Sequence, residues 1–160
     1  MPVFVFFLGL LQLAILFSSK LVVEHAATVG ARAAAVVFGD EARPYGREAG
    51  APNVLSAGRK QAVRDAVLLA LAPLVLDDTL VSLTVAYPTQ VDGPSAKEGA
   101  ALAPALGSAM VRVRVEATAI CKIAIGNLIA CRSGAPLPIR VAKIRAESPF
   151  PYQGARYSYE

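Results

Sequence analysis

The stretch from Met1 to Phe38 constrains everything else this chain can fold into. Between Met1 and Phe17 only Gln12 is strongly polar, and between Ser18 and Phe38 there is no proline and much alanine. Read as a single helix, the stretch is about 57 Å long at about 1.5 Å per residue. Its first half is apolar enough to cross a hydrocarbon core, which takes roughly 17–25 residues. Its second half is a different object. Lys20, Glu24, Thr28 and Arg32 recur at every fourth position and form one narrow stripe, because residues four apart are neighbours on a helix. Lys20 and Glu24 are placed to pair across one turn, in the weaker of the two orders. The rest of the cylinder is Leu, Val, Ala and Gly. A surface helix has an apolar stripe and a broad polar face. This one has the reverse, so burial on most sides is expected. Its small residues allow close approach of neighbouring backbones. A small domain covers only part of such a rod, so the remainder is expected to face lipid or other copies of the chain.

The whole chain has 160 residues, which fits one domain plus an appendage. Apolar residues make up 55%, and the first helix supplies much of the excess. The net charge of +4 is scattered, with no basic run of the kind that binds nucleic acid, so no nucleic-acid partner is expected. The apolar opening differs from a secretory signal. No Lys or Arg precedes Lys20, and Phe17-Ser18-Ser19-Lys20 is a poor cleavage site. The segment therefore reads as retained.

Gly39 to Leu55 holds Gly39, Pro44, Gly46, Gly50 and Pro52 among mixed charges and reads as an irregular linker. A second helix follows over about Ser56 to Leu71. Ala62, Val63, Ala66, Val67, Ala70 and Leu71 repeat at helical spacing, with Arg59, Lys60, Gln61, Arg64 and Asp65 on the other side. Ser56 is its N-cap and Pro73 its stop. Such a helix covers one face of a sheet. Asp78 to Pro88 is β-branched and alternating, hence a strand. Thr89 to Ser108 is a long loop punctuated by Gly and Pro. Ala109 to Ala119 is the clearest strand. Val111, Val113, Val115 and Ala117 face one way and Arg112, Arg114, Glu116 and Thr118 the other, as in an antiparallel sheet with one wet face. Leu137 to Glu147 gives a further strand. Ser148 to Glu160 is either a last edge strand or a strap.

Cys121 and Cys131 are the only cysteines. Their spacing is neither a zinc motif nor a haem attachment motif. They are either two buried thiols or a disulfide, and export into an oxidising compartment favours the disulfide as a structural staple. On one straight helix the two α-carbons would lie about 15 Å apart. A disulfide needs roughly 4.4–6.8 Å. A bridge therefore demands that the chain turn back between them, and Gly126-Asn127 is the obvious place.

Residues that carry chemistry are sparse. His25 is the single histidine and sits in the long helix, without the partners that catalysis or metal binding needs. Asp77-Asp78 stands where a loop enters a strand and reads as a turn or cap. No phosphate loop, nucleophile elbow or metal-ligand helix occurs. The expectation is a protein that is not an enzyme and has no cofactor and no metal site. Gln12 is a lone amide in an apolar span, either simply tolerated or hydrogen-bonded between packed helices.

Gln12-Leu13-Ala14-Ile15-Leu16 running into Leu21 to Ala35 resembles the TadE-like pilins of the tight-adherence (Tad) pilus, a branch of the type IV filament superfamily. In that family an apolar helix passes into an Ala-Ala-x-x-Gly-Ala-Arg pattern, present here from Ala26. Pro2 also sits where that helix commonly carries a proline, and Arg145 to Tyr157 looks like the closing stretch of some members. A glutamate near the mature N-terminus and a peptidase site, usual in such pilins, are absent from this sequence.

The resemblance implies an α+β fold, with a helical stalk over residues 1–38 and a small head over 39–160 in which a second helix packs on an antiparallel sheet. It implies a filament subunit used for surface attachment, held in the bacterial inner membrane before assembly and then polymerised outside the cell. The implied partners are further copies of the chain, the pilus assembly machinery and a prepilin peptidase. Phe4, Phe7, Leu11, Gln12, Ala27, Gly30, Ala31 and Ala34 are then the expected filament-core contacts, the small ones setting the spacing. A minor pilin or pseudopilin, or a monomeric membrane-anchored periplasmic domain, are the competing readings.

Overall fold

A computed structural model describes residues 2–48, 54–87, 110–123, 131–133 and 140–151. The element order is α1 (Pro2–Gly39), a 3-10 turn (Arg43–Tyr45), α2 (Ala57–Ala70), α3 (Ala72–Leu76), β1 (Leu80–Ala86), β2 (Met110–Ile120), β3 (Arg132–Ser133) and β4 (Arg140–Pro151). The strands form one antiparallel sheet in the order β1-β2-β4-β3. This is the expected α+β layout, a long apolar helix carrying a small head.

The alternation in β2 sets the two faces of the sheet. Val113, Val115, Ala117 and Ala119 are fully buried, while Arg112, Arg114, Glu116 and Thr118 are half-buried on the other side. Register continues the division into β4, where Ala146 lies opposite Val115 and Ile144 opposite Ala117. On the wet face Arg114 donates to Glu147 at 3.1 Å, and Glu116 stands within 3.6 Å of Lys143 and 3.9 Å of Arg145. Cross-strand charge pairs of this kind each add a few tenths of a kcal/mol, up to about 1 kcal/mol, and fix the register.

The inner face of the sheet is covered chiefly by α1 itself. Val23, Ala26, Ala27, Ala31 and Ala34 are buried there in one core with Val113, Val115 and Ala117. A flat surface of Val and Ala accepts a helix only if the facing side chains are small. Gly30 marks the closest approach. A Cβ there would lie 2.6 Å from Cγ2 of Val67 and 3.3 Å from Cγ1 of Val113. Ala27, Gly30, Ala31 and Ala34, expected to set the spacing between copies, face the head of their own chain. The boundary expected at residue 38 then runs through one continuous core. α2 packs against the flank of α1 through Val63 and Val67 rather than providing the sheet's main cover.

Three local expectations are refined. Ser56 caps α2 by accepting the Arg59 N–H at 3.3 Å, but Pro73 does not end helical structure, because it sits in the first turn of α3. Arg59, assigned to the polar side of α2, is fully buried. Its guanidinium donates to the carbonyls of Asp40 at 2.6 Å and Val54 at 3.1 Å and lies over the Tyr45 ring. It ties the end of α1 to the start of α2. The last strand runs later than expected, through Pro149 and Pro151. Among the described residues β4 has no partner on its other side beyond Val141, and a strand edge tolerates proline. The expected loop at 89–108, the turn at Gly126-Asn127 and the tail beyond residue 151 lie outside the described residues.

Gly30→Ala should overpack the head. Overpacking costs about 1–3 kcal/mol, partly offset by a helix-propensity gain of about 1 kcal/mol. Chemical denaturation of the detergent-solubilised chain should show a net loss, and adding Val67→Ala should recover part of it through favourable coupling.

Candidate functional site

The candidate site is the surface of α1 that the head leaves bare, together with the contact that fixes where the head begins. Phe4, Phe6, Phe7, Leu10, Leu11, Leu13 and Phe17 are exposed. Helical spacing turns two of the early polar positions the other way. Gln12 and Ser19 are buried, seven positions apart and in line with Val23, Ala26 and Gly30. Ser19 satisfies its hydroxyl within the helix by donating to the Ile15 carbonyl at 2.9 Å. Gln12 accepts the backbone N–H of Ile123 at 3.0 Å, across 111 positions of sequence. Its Nε2 is buried and has no hydrogen-bond partner among the described residues.

The segment that meets Gln12 is itself braced. Cys121 and Cys131 form the expected disulfide, with α-carbons 6.5 Å apart. Cys121 also donates its N–H to the Arg140 carbonyl at 3.0 Å. Next to it, Lys122 pairs with the Asp77 carboxylate at 2.8 Å and donates to the Asp77 carbonyl. Thr79 donates its hydroxyl to the same carboxylate at 2.6 Å. The Lys122 ammonium first, and the Thr79 hydroxyl second, hold the Asp77 carboxyl below its ordinary value. Asp78 adopts a left-handed backbone with φ of 49°, tolerated by a short side chain able to bond locally. The acidic pair thus forms the turn between α3 and β1.

The polar stripe lies on the outer side of α1. Lys20 pairs with Glu24 at 3.6 Å, Thr28 donates to the Glu24 carbonyl, and Arg32 lies over the Phe150 ring. His25 is exposed on that side too. Of the expected filament contacts, Phe4, Phe7 and Leu11 face outward. Gln12, Ala27, Gly30, Ala31 and Ala34 face the head, and Gln12 serves as a hydrogen-bonding link within the chain. Among the described residues no three of His, Cys, Asp and Glu gather where a metal could sit. What the arrangement offers chemically is an apolar surface held rigidly relative to a head.

Two residues with structural roles escape a reading by period alone. Arg59 is one. Ile123 is the other, since its contribution is a backbone N–H and no side-chain pattern reports it. No family model, curated protein or solved structure matches this chain.

Gln12→Leu removes the acceptor of a partly buried N–H and should cost about 1 kcal/mol. Hydrogen exchange should accelerate at the Ile123 amide and stay unchanged at Val115. Reduction of the Cys121–Cys131 bond should lower stability by about 3 kcal/mol, the scale for a short closed loop. Unfolding with and without reductant reads that difference.

Proposed function

We propose that this chain is a structural filament subunit, a pilin, that rests in the bacterial inner membrane through α1 and polymerises into an extracellular Tad or type IV-like pilus used for surface attachment. One observation carries the reading. The first half of α1 presents Phe4, Phe6, Phe7, Leu10 and Leu11 outward on a rod whose other half is built into the head. The helix has the length and hydropathy to cross a membrane. Such a surface needs lipid or protein around it.

A repeated contact between unlike surfaces of identical subunits, when it does not close, generates a helical filament. In this reading the outward large residues make the contacts between copies, and the small-residue face does not. The assembly machinery and a prepilin peptidase are the partners that this life cycle requires. The sequence resemblance to TadE-like pilins over Gln12 to Val36 supports the same conclusion.

The test is the triple substitution Phe4→Ala, Phe7→Ala and Leu11→Ala. It keeps the segment apolar, so membrane insertion should persist. Loss of large packing residues should cut the filament recovered by shearing roughly tenfold or more, the scale on which buried aromatic contacts act. Intact mass spectrometry of the sheared fraction reads the amount. An unchanged yield, or absence of the unsubstituted chain from that fraction, overturns the reading.

A further inference from the structure

We propose that the groove between α1 and β4, apolar along Leu13 and Phe17 and edged by Lys20, Lys143 and Arg145, holds one anionic phospholipid of the bilayer, with an acyl chain along α1 and the phosphate at the cations. The proposal rests on the reading that α1 crosses a membrane before assembly.

The α1 wall is one face of the helix. Phe6, Leu10, Leu13, Phe17 and Lys20 follow one another at steps of four, three, four and three, an apolar strip that ends in a cation. Phe6, Leu10, Leu13 and Phe17 are all exposed, so the groove continues the outward apolar surface of α1. β4 supplies the opposite wall. Beyond Val141 it pairs only with β2 among the described residues, so it is the outermost strand at this point. Along it Ala142 and Ile144 alternate with Lys143 and Arg145. The two walls border a cleft of about 360 Å³.

The cations gather at one end. Arg32 lies over the Phe150 ring, which fixes the level of β4 against α1. Five strand residues back from Phe150, about 17 Å, stands Arg145. An equal length of helix back from Arg32 reaches Leu21. Arg145 is thus level with Lys20, with Leu13 and Phe17 on one side of that level. No acidic side chain of the described residues lines the groove. Lys20 is 3.6 Å from Glu24, Lys143 and Arg145 share Glu116 at 3.6 and 3.9 Å, and Arg145 also reaches Glu147 at 3.8 Å. Such long pairs, with their cations largely exposed, hold charge weakly and leave it open to a phosphate. The apolar half of α1 on another copy would fill the groove without matching that charge, since it has no acidic residue from Pro2 to Ser19. An anionic phospholipid matches both parts, as in basic pockets beside membrane helices.

The sequence contains no tryptophan, so a single introduced indole reports alone. Full-length Phe17→Trp and Phe7→Trp are reconstituted at low protein-to-lipid ratio in vesicles of equal parts phosphatidylcholine and phosphatidylglycerol. Either one lipid or the other carries brominated acyl chains. The expected result is several-fold stronger quenching of Phe17→Trp by brominated phosphatidylglycerol than by brominated phosphatidylcholine, with Phe7→Trp quenched equally by both. Adding Lys20→Gln and Lys143→Gln, which removes two exposed cations, should abolish the preference. Adding Lys60→Gln and Arg64→Gln, the same loss of charge on α2, should leave it. Equal quenching of Phe17→Trp by the two lipids, or a preference that both pairs of substitutions affect alike, overturns the site while leaving the membrane-spanning helix and the filament reading intact. Quenching at Phe7→Trp with none at Phe17→Trp means that protein covers the groove, and overturns it too. Absence of quenching at Phe7→Trp by either lipid overturns the membrane reading beneath it.

Discussion

The close approach of α1 to the sheet is the constraint from which the rest follows. A helix lying on Val113, Val115 and Ala117 needs a face with almost no side-chain bulk, and Ala26, Ala27, Gly30, Ala31 and Ala34 supply it. Gly30 allows the helix to meet Val67 and Val113 at once, so the sheet, α1 and α2 share a single contact point. The largest side chains of α1 consequently fall mostly in the first half, with Phe38 buried beyond the close approach at the far end. The head is therefore assembled around its own helix, and the character of the outward surface is a by-product of packing the inward one.

Polar groups act as clamps at the two ends of this apolar joint. At the far end Arg59 gathers the Asp40 and Val54 carbonyls, and Phe38 meets Tyr87 edge-on with centroids 5.8 Å apart. Tyr87 in turn donates its hydroxyl to the Lys60 carbonyl, and burial pushes that hydroxyl's pKa up. At the near end Gln12 holds Ile123 beside the disulfide. Apolar contact alone would let a smooth Ala-rich helix slide along a Val-rich sheet. Directional hydrogen bonds at both ends set the register, because each buried donor or acceptor costs free energy when displaced from its partner.

Much of this was legible in the sequence for physical reasons. The long helix follows from composition over many turns, and the alternation in β2 follows from the two-residue period of a strand. The Lys20–Glu24 pair and the Ser56 cap are local and follow from spacing alone. What was hidden is long-range. Small residues say that something comes close, without saying whether it is the chain's own head or another copy. Arg59 carries a charge that a helical period assigns to water, and long-range partners, the carbonyls of Asp40 and Val54 among them, make its burial tolerable. Pro149 and Pro151 look like stops for a strand, yet they are compatible with a strand whose other edge is unpaired there among the described residues.

The inward use of the small residues also bears on how a filament of such subunits would hold together. Membrane helices often associate through small residues, since lipid tails are as apolar as leucine and provide no hydrophobic drive. Here that option is taken up within the chain. In the proposed filament, copies would be left with Phe4, Phe6, Phe7, Leu10 and Leu11, residues whose bulk would keep helix axes at the ordinary separation of about 8–10 Å. Interlocking aromatic and leucyl side chains are acceptable to acyl chains and to one another alike. A subunit could then leave the bilayer by exchanging one apolar neighbour for another, while the head, clamped by Gln12 and Arg59, keeps a fixed orientation on the rod through the transfer.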